Sequence, residues 1–412
     1  MTITDDDRYI GRQIQSIRLR RGLTQQVLAD RVGISRSKLA KYEAGTNPLD
    51  SRKLLYALAG ALEVSIADLT GHAEDRHLSA ASLFHSAAPR IESALLSAGH
   101  VDDVHPPSPV DALSAAADRA LALRMAGDLA TLGKLLPDLL TDSFRLTETG
   151  TERDRNIAWS ALSRASFATA LASKGLGYTA LAWIAAKVTG EAANMTGDMT
   201  ALAASEFVAS QVLLSMPGSL PAALHRVESA ADSLQSDLLA TPEGAQLYGM
   251  LHLQAGLTTA ALGRDPADHL AEARETAHRT GEGGDAFALD FGPANVAIWE
   301  MSIALESGNG GRAVQLATAV DPAAIGTAER RARFFIEAGR GHAMQGQYDD
   351  ALAALLRAET IAPQYVRSRV VVRELAGYML RRARRELSSG ELGRLAQRVG
   401  AVPDSGTLSR PA

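Results

Sequence analysis

The sequence predicts an all-α protein, a small N-terminal helical bundle followed by a long array of stacked helical hairpins. Three observations carry that expectation. First, strand signals are sparse in these 412 residues: aromatics make up 5%, and Ala, Leu and Arg dominate. Second, from about Asp111 onward, helical stretches of about 12–20 residues alternate with turns such as SKGLG, SMPGS, LGRDPAD, ESGNGG and MQGQYDD. Third, charge is polarised. Residues 8–53 hold eleven Lys and Arg against three acids, although the whole chain carries −5. A basic end on an acidic body aims that end at a polyanion and keeps the body away from it.

The basic end opens with a helix over about Ile10 to Arg20. Thr24 can cap the next helix, which begins at Gln25, since its hydroxyl can accept from a free backbone N–H. Val27, Leu28 and Ala29 give that helix an apolar side, and Ala29 is small enough for a close crossing. Gly33 stands where a tight turn needs positive φ, and Ile34 plugs the turn. Ser35 caps a further helix that runs to about Ala44 and stops at Gly45. Leu39 and Tyr42 face inward at helical spacing. Arg36, Ser37, Lys38 and Lys41 stay on the outward side. Two more helices follow, about Ser51 to Leu62 and Ser65 to Leu69. A short basic helix displayed this way is suited to the major groove of DNA.

The pattern Gln25, Ala29, Gly33, Ile34, Leu39, Glu43, Gly45 resembles the repressor-type helix-turn-helix of the XRE family, related to phage repressor and Cro proteins. The resemblance covers about residues 8–71. It implies a five-helix DNA-binding domain in which Gln25 contacts a phosphate and Arg36, Ser37 and Lys41 point toward base edges. Ser35, Lys38, Arg18 and Arg52 complete the expected DNA-contacting set.

The expected organisation is a DNA-binding domain over 1–71, a linker with short helices over 72–110, a helical array over 111–400 and a flexible tail over 401–412. The Pro-rich stretch HVDDVHPPSPVD marks the boundary before the array.

Within the array one unit is legible residue by residue. In RARFFIEAGRGHAMQGQYDDALAALLRAETIAP, Gly339, Tyr348, Ala351, Ala358 and Pro363 fall at the spacing of a tetratricopeptide repeat, which the segment resembles. Small residues there let two helices pack closely, and the proline ends the unit. Other segments fit loosely, so the expectation is a degenerate tetratricopeptide-like α-solenoid. Such an array presents a groove lined by the first helix of each hairpin.

The best groove candidate is DFGPANVAIWEMSIALESG. Gly292 and Pro293 start a helix on which Asn295, Trp299 and Ser302 share a face. An amide beside a large aromatic can orient a ligand and supply contact area; equally, both residues can be core. Tyr178 with Trp183, and Asn156 with Trp159, are weaker pairs of the same kind. Regulators that join an XRE-type head to a tetratricopeptide array, which this architecture resembles, often respond to signalling peptides, with groove asparagines holding the peptide backbone.

Enzymatic chemistry finds no support. The ten histidines are scattered without HExxH or ligand spacing, and GxSxG and P-loop motifs are absent. GEGGDAFALDFG follows no strand. No catalytic residue, metal or cofactor is expected. There is no cysteine, which suits a reducing cytoplasm. The acidic start MTITDDDRYI is no signal peptide, and no run of about 18 apolar residues suggests a membrane span.

The expected function is therefore a cytoplasmic, sequence-specific transcriptional regulator. Its partners are an operator in double-stranded DNA, a second copy of itself, and a signalling peptide or small molecule sensed by the array. Two half-sites multiply the affinity of one small head. The alternatives are an interaction scaffold with secondary DNA binding, and a regulator without a ligand.

Overall fold

The computed structural model describes residues 5–20, 23–47, 54, 57–58, 61–62, 69, 81–98, 109–216, 218–281, 286–382 and 390–401. Every regular element among them is helical. The chain divides into two compact units: Met1–Arg76 with Gly377–Arg384, and His77–Ala376 with Arg385–Ala412.

The first unit contains α1 (Asp5–Arg20), α2 (Gln25–Arg31) and α3 (Arg36–Glu43). Thr24 Oγ1 accepts from Val27 N and Ser35 Oγ accepts from Lys38 N, each at 3.2 Å, so both helices begin where a hydroxyl satisfies a free donor. Gly33 sits at φ +69°, which lets the chain reverse between α2 and α3. Ile14, Ile17, Leu28, Ala29, Leu39 and Tyr42 form the core with Leu54, Leu58, Leu62 and Leu69. Val27 differs from expectation: it is 41% exposed, because its position on α2 turns away from Leu28 and Ala29. At Gly11 an added methyl would run into the backbone carbonyl of Tyr42, so α1 and α3 touch backbone to backbone there. The two helices expected over about 51–69 lie largely outside the described residues.

The second unit begins earlier than the sequence indicates. Residues 81–96, expected in the linker, form α4 (Ala81–Leu96), which packs on α6 (Leu129–Thr149) and puts Phe84, Ile91 and Leu95 into the main core. The proline content of the stretch after it hid that apolar face. Then come α5 (Val110–Ala126), α7 (Glu152–Gly175), α8 (Thr179–Thr196), α9 (Met199–Leu213), α10 (Leu220–Leu238), α11 (Pro242–Ala261), α12 (Ala267–Thr280), α13 (Pro293–Glu306), α14 (Gly310–Thr318), α15 (Ala328–Met344) and α16 (Tyr348–Ile361). Short α17 (Pro363–Arg367), α18 (Val370–Arg382) and α19 (Glu391–Arg398) follow.

Each array helix packs on the next, and the odd-numbered helices α7, α9, α11, α13 and α15 also pack on one another in sequence. That i, i+2 contact is the mark of stacked hairpins: the first helices form one layer and the second helices the other. Composition makes it possible. In α7, Ala158, Ala161, Ala165 and Ala168 are buried together with Ser163, Ser166, Thr169 and Ser173, so neighbours can close in on all sides. The unit over 328–361 behaves as its spacing implies. A methyl at Gly339 would stand 3.2 Å from the Ala351 carbonyl oxygen, which places the α15–α16 crossing at those two small residues. At the far end Glu359 of α16 is gripped by Arg398 of α19 (2.8 and 2.6 Å) and by Arg367 (2.8 Å).

The stack closes on itself. Arg124 of α5 donates to the carbonyls of Phe287 and Ala288, and α5 also contacts α15. The turn it grips is strained: Phe287, Ala288 and Asp290 all have φ near +50° without being glycine.

Candidate DNA-binding helix and candidate ligand cavity

On α3, Arg36, Ser37, Lys38 and Lys41 are all exposed, while Leu39, Tyr42 and Glu43 are buried. The helix is thus fastened by one face and displays cations and a hydroxyl on the other. Lys38 lies 6.0 Å from the centre of the Tyr42 ring. Ser35 is exposed too, but its hydroxyl is committed as the α3 cap.

Two expected DNA contacts have other work. Arg18 is only 6% exposed, and its guanidinium holds Glu43 with two bonds, Nε to Oε1 at 2.5 Å and Nη2 to Oε2 at 2.9 Å. Its third nitrogen donates to the Leu23 carbonyl at 2.8 Å. A guanidinium this buried and held at all three nitrogens cannot swing out to a phosphate, so Arg18 is corrected from a contact to a brace. Gln25 donates from Nε2 to Glu43 Oε2 at 2.8 Å, so it too is tied to the α3 terminus, though half-buried. Glu43 was legible as a pattern residue, but its partners were not, because they lie 25 and 18 positions away. Arg52 lies outside the described residues.

In the second unit, α7, α9, α11, α13 and α15 surround a cavity of about 300 Å³, completed by α5 and by the turn between α17 and α18. Trp299 and Ser302 line it, as expected of a groove formed by first helices. Asn295 does not. It is 3% exposed and braces the strained turn, donating to the Leu289 carbonyl at 3.1 Å and lying 3.8 Å from Met250 Sδ. The shared helical face is real, but the first turn of α13 dips behind the turn it follows, so Asn295 is corrected from groove to core. Tyr178 and Trp183 are corrected likewise. The Tyr178 hydroxyl lies 2.5 Å from His85 Nδ1, and Trp183 packs half-buried on the main core; neither lines the cavity. Asn156 is exposed near the start of α7, and the half-buried Trp159 packs on the core.

What the sequence did not reveal is the charge of the cavity. Six cationic residues line it (Arg124, Lys174, Arg330, Arg333, Arg340, Arg369) against three carboxylates (Glu306, Glu329, Glu337). Burial pushes the Lys174 ammonium down to about 7, with Arg369 and Arg333 adding to the effect. Burial likewise takes Arg124 down to about 10; Glu329 opposes this while Arg330 and Arg369 reinforce it. Burial alone would raise the Glu329 carboxyl, but Arg330, Arg369 and Arg124 together hold it below its ordinary value. Arg333 lies over the Trp299 ring at 4.7 Å. These cations come from α5, α7, α15 and a connecting turn, so no local spacing could announce them.

Residues 10–70 match the family of the helix-turn-helix domain. The head thus matches a helix-turn-helix domain. In structure, the chain is similar to Bacillus thuringiensis PlcR, crystallised in complex with the peptide PapR7 and DNA. The identity is 14%, 66% of this chain and 95% of that chain are covered, and the TM-score is 0.29. Among curated proteins, none matches the chain significantly. Among the described residues, no helix is long and apolar enough to cross a membrane.

Proposed function

We propose that the protein is a sequence-specific DNA-binding transcriptional regulator whose helical array senses a small ligand and dimerises. The observation that carries the DNA-binding half is the face of α3. Arg36, Ser37, Lys38 and Lys41 are exposed along a helix whose opposite face is fixed by the core and by the Arg18–Glu43 pair. A rigid helix with exposed cations and a hydroxyl can enter the major groove, where Arg reads guanine by two parallel bonds. Arg36, Ser37 and Lys41 would reach base edges, and Lys38 would hold the backbone. The head spans about residues 1–71.

The sensing half is supported by the cavity. It is concave, walled by apolar side chains with polar groups converging on it, and built from five helices of the array. An occupant that pulls those helices together or apart shifts the array between two states, and a dimer of arrays converts that shift into a changed spacing of two heads. A cavity of about 300 Å³ suits a compact occupant better than a folded protein partner, so the sensor reading is preferred to a scaffold.

The test is selection of bound fragments from random double-stranded DNA with the full chain, followed by footprinting. A selected site with two related halves about one helical turn apart supports the proposal. Enrichment of no sequence above the input pool would sink it.

A further inference from the structure

The cavity holds more positive charge than its own carboxylates satisfy. Glu306 and Glu337 are both taken by Arg340, at 3.2 and 2.7 Å, and Glu329 faces Arg369 at 3.6 Å. Arg124 and Arg330 are engaged by backbone carbonyls of the 287–289 turn. That leaves Lys174 and Arg333. Among the described residues Lys174 has no carboxylate partner; its ammonium donates to Gln211 Oε1. Arg333 reaches Glu337 only at 4.0 Å, and Glu337 is already bonded to Arg340. Unneutralised cations facing one another in a low-dielectric space are costly, and burial together with Arg369 and Arg333 makes the Lys174 ammonium easier to deprotonate.

Much of the remaining wall is apolar. Leu171, Phe207, Met250, Leu257 and Ile336 line it with Trp299, whose indole N–H is buried without a partner. Phe207 and Trp299 meet edge to face at 6.4 Å. The geometry points to a compact organic anion as the occupant. Its carboxylate or phosphoryl group sits between Lys174 and Arg333, and its apolar body lies against Trp299 and Phe207. The inference rests on the sensor reading above and adds the chemical class of the ligand. An anion there supplies the missing charge, accepts from Lys174 and from the guanidinium, and restores the charged ammonium.

Calorimetric titration of the full chain with a matched naphthalene series tests this. The probes are 1-naphthaleneacetate, 1-naphthyl phosphate, 1-naphthalenemethanol and 1-naphthylmethylammonium. N-acetylphenylalanyl-leucine, with its carboxyl end free or amidated, separates a peptide source of the carboxylate from a small acid. Anionic probes are expected to bind at least about tenfold tighter than the alcohol, a difference of about 1.4 kcal/mol, and the cation weakest. Lys174→Met and Arg333→Met should each bring the anion down to the level of the alcohol while the alcohol's affinity stays put. Equal binding across the series, preference for the cation, binding of no probe, or full anion affinity in both variants would overturn the inference. A gel-shift assay with the tightest anion addresses the parent reading separately. If the anion binds and the selected DNA site is held equally well with and without it, sensing fails while the anion site stands.

Discussion

Arg18 on α1 grips Glu43 at the end of α3 with two bonds at 2.5 and 2.9 Å, and both side chains are buried. The pair fixes α3 by its C-terminus, and Gln25 on α2 adds a third strut at 2.8 Å. All three helices of the turn therefore meet at one carboxylate. Removing one charge strands the other: Glu43→Ala should destabilise the head by about 3–5 kcal/mol. Hydrogen exchange of the full chain checks it, with protection lost in α1–α3 and retained in α7–α11. Unchanged protection of α1–α3 would show the pair to be dispensable.

Arg36→Ala is expected to do the reverse. The residue is exposed and its side chain has no role in the core, so stability should stay within about 0.5 kcal/mol. Discrimination of the selected site should fall by about 1–3 kcal/mol, with weak salt-sensitive binding kept. Gel shifts over a salt series read both quantities. An intact preference would remove Arg36 from base reading.

Asn295→Ala should lower stability by about 0.5–1.5 kcal/mol, since the Leu289 carbonyl loses one of its two donors inside the core and keeps Arg330. Ligand binding should change less than in Trp299→Phe, because Trp299 lines the cavity and Asn295 does not. Thermal melts beside calorimetry separate the two. A stable Asn295→Ala protein that no longer binds ligand would return the residue to the site.

Lys174 makes stability depend on pH in a defined direction. Its folded pKa of about 7 lies below the ordinary lysine value of about 10.4, so between those limits the unfolded chain binds more protons. Its contribution to stability therefore rises with pH across that window, and the burial cost is complete below it. The groups facing it are Arg369 and Arg333, with Gln211 as its hydrogen-bond acceptor. Lys174→Met should raise the melting temperature at pH 6 by at least about 2 °C, a gain that shrinks toward pH 10. A gain of equal size at both pH values would refute a depressed lysine.

Gly249 on α11 faces the Phe291 ring so closely that an added methyl would enter it. Gly249→Ala should cost about 1–3 kcal/mol by overpacking. Far-UV melting of the variant decides it, and the wild-type midpoint would mean that the ring can turn aside.

The head was more legible than the cavity for a physical reason. Thr24, Gly33, Ser35, Leu39 and Tyr42 act through neighbours within a few positions, and such local chemistry is written in spacing. Gly339 and Ala351 were readable because a hairpin brings near residues together. Arg18, 25 positions from Glu43, gave no such signal, and its positive charge looked like one more DNA contact. Asn295 and Trp299 do share a helical face, but which neighbour covers each end of that face is decided by the 287–289 turn. Lys174 and Arg333 lie 159 positions apart, and only the closing of the array makes them one site.

That closure constrains how the protein can change over time. An open stack of hairpins can gain or lose a unit at either end, since each contacts only its neighbours. Here Arg124 near the start of the stack clasps carbonyls just ahead of α13, and α5 also touches α15. Duplicating or deleting one hairpin between them would move the clasp off its target by the width of a repeat. The number of hairpins between α5 and α13 is therefore fixed by a ring that must meet itself, and variation is channelled into side chains rather than length.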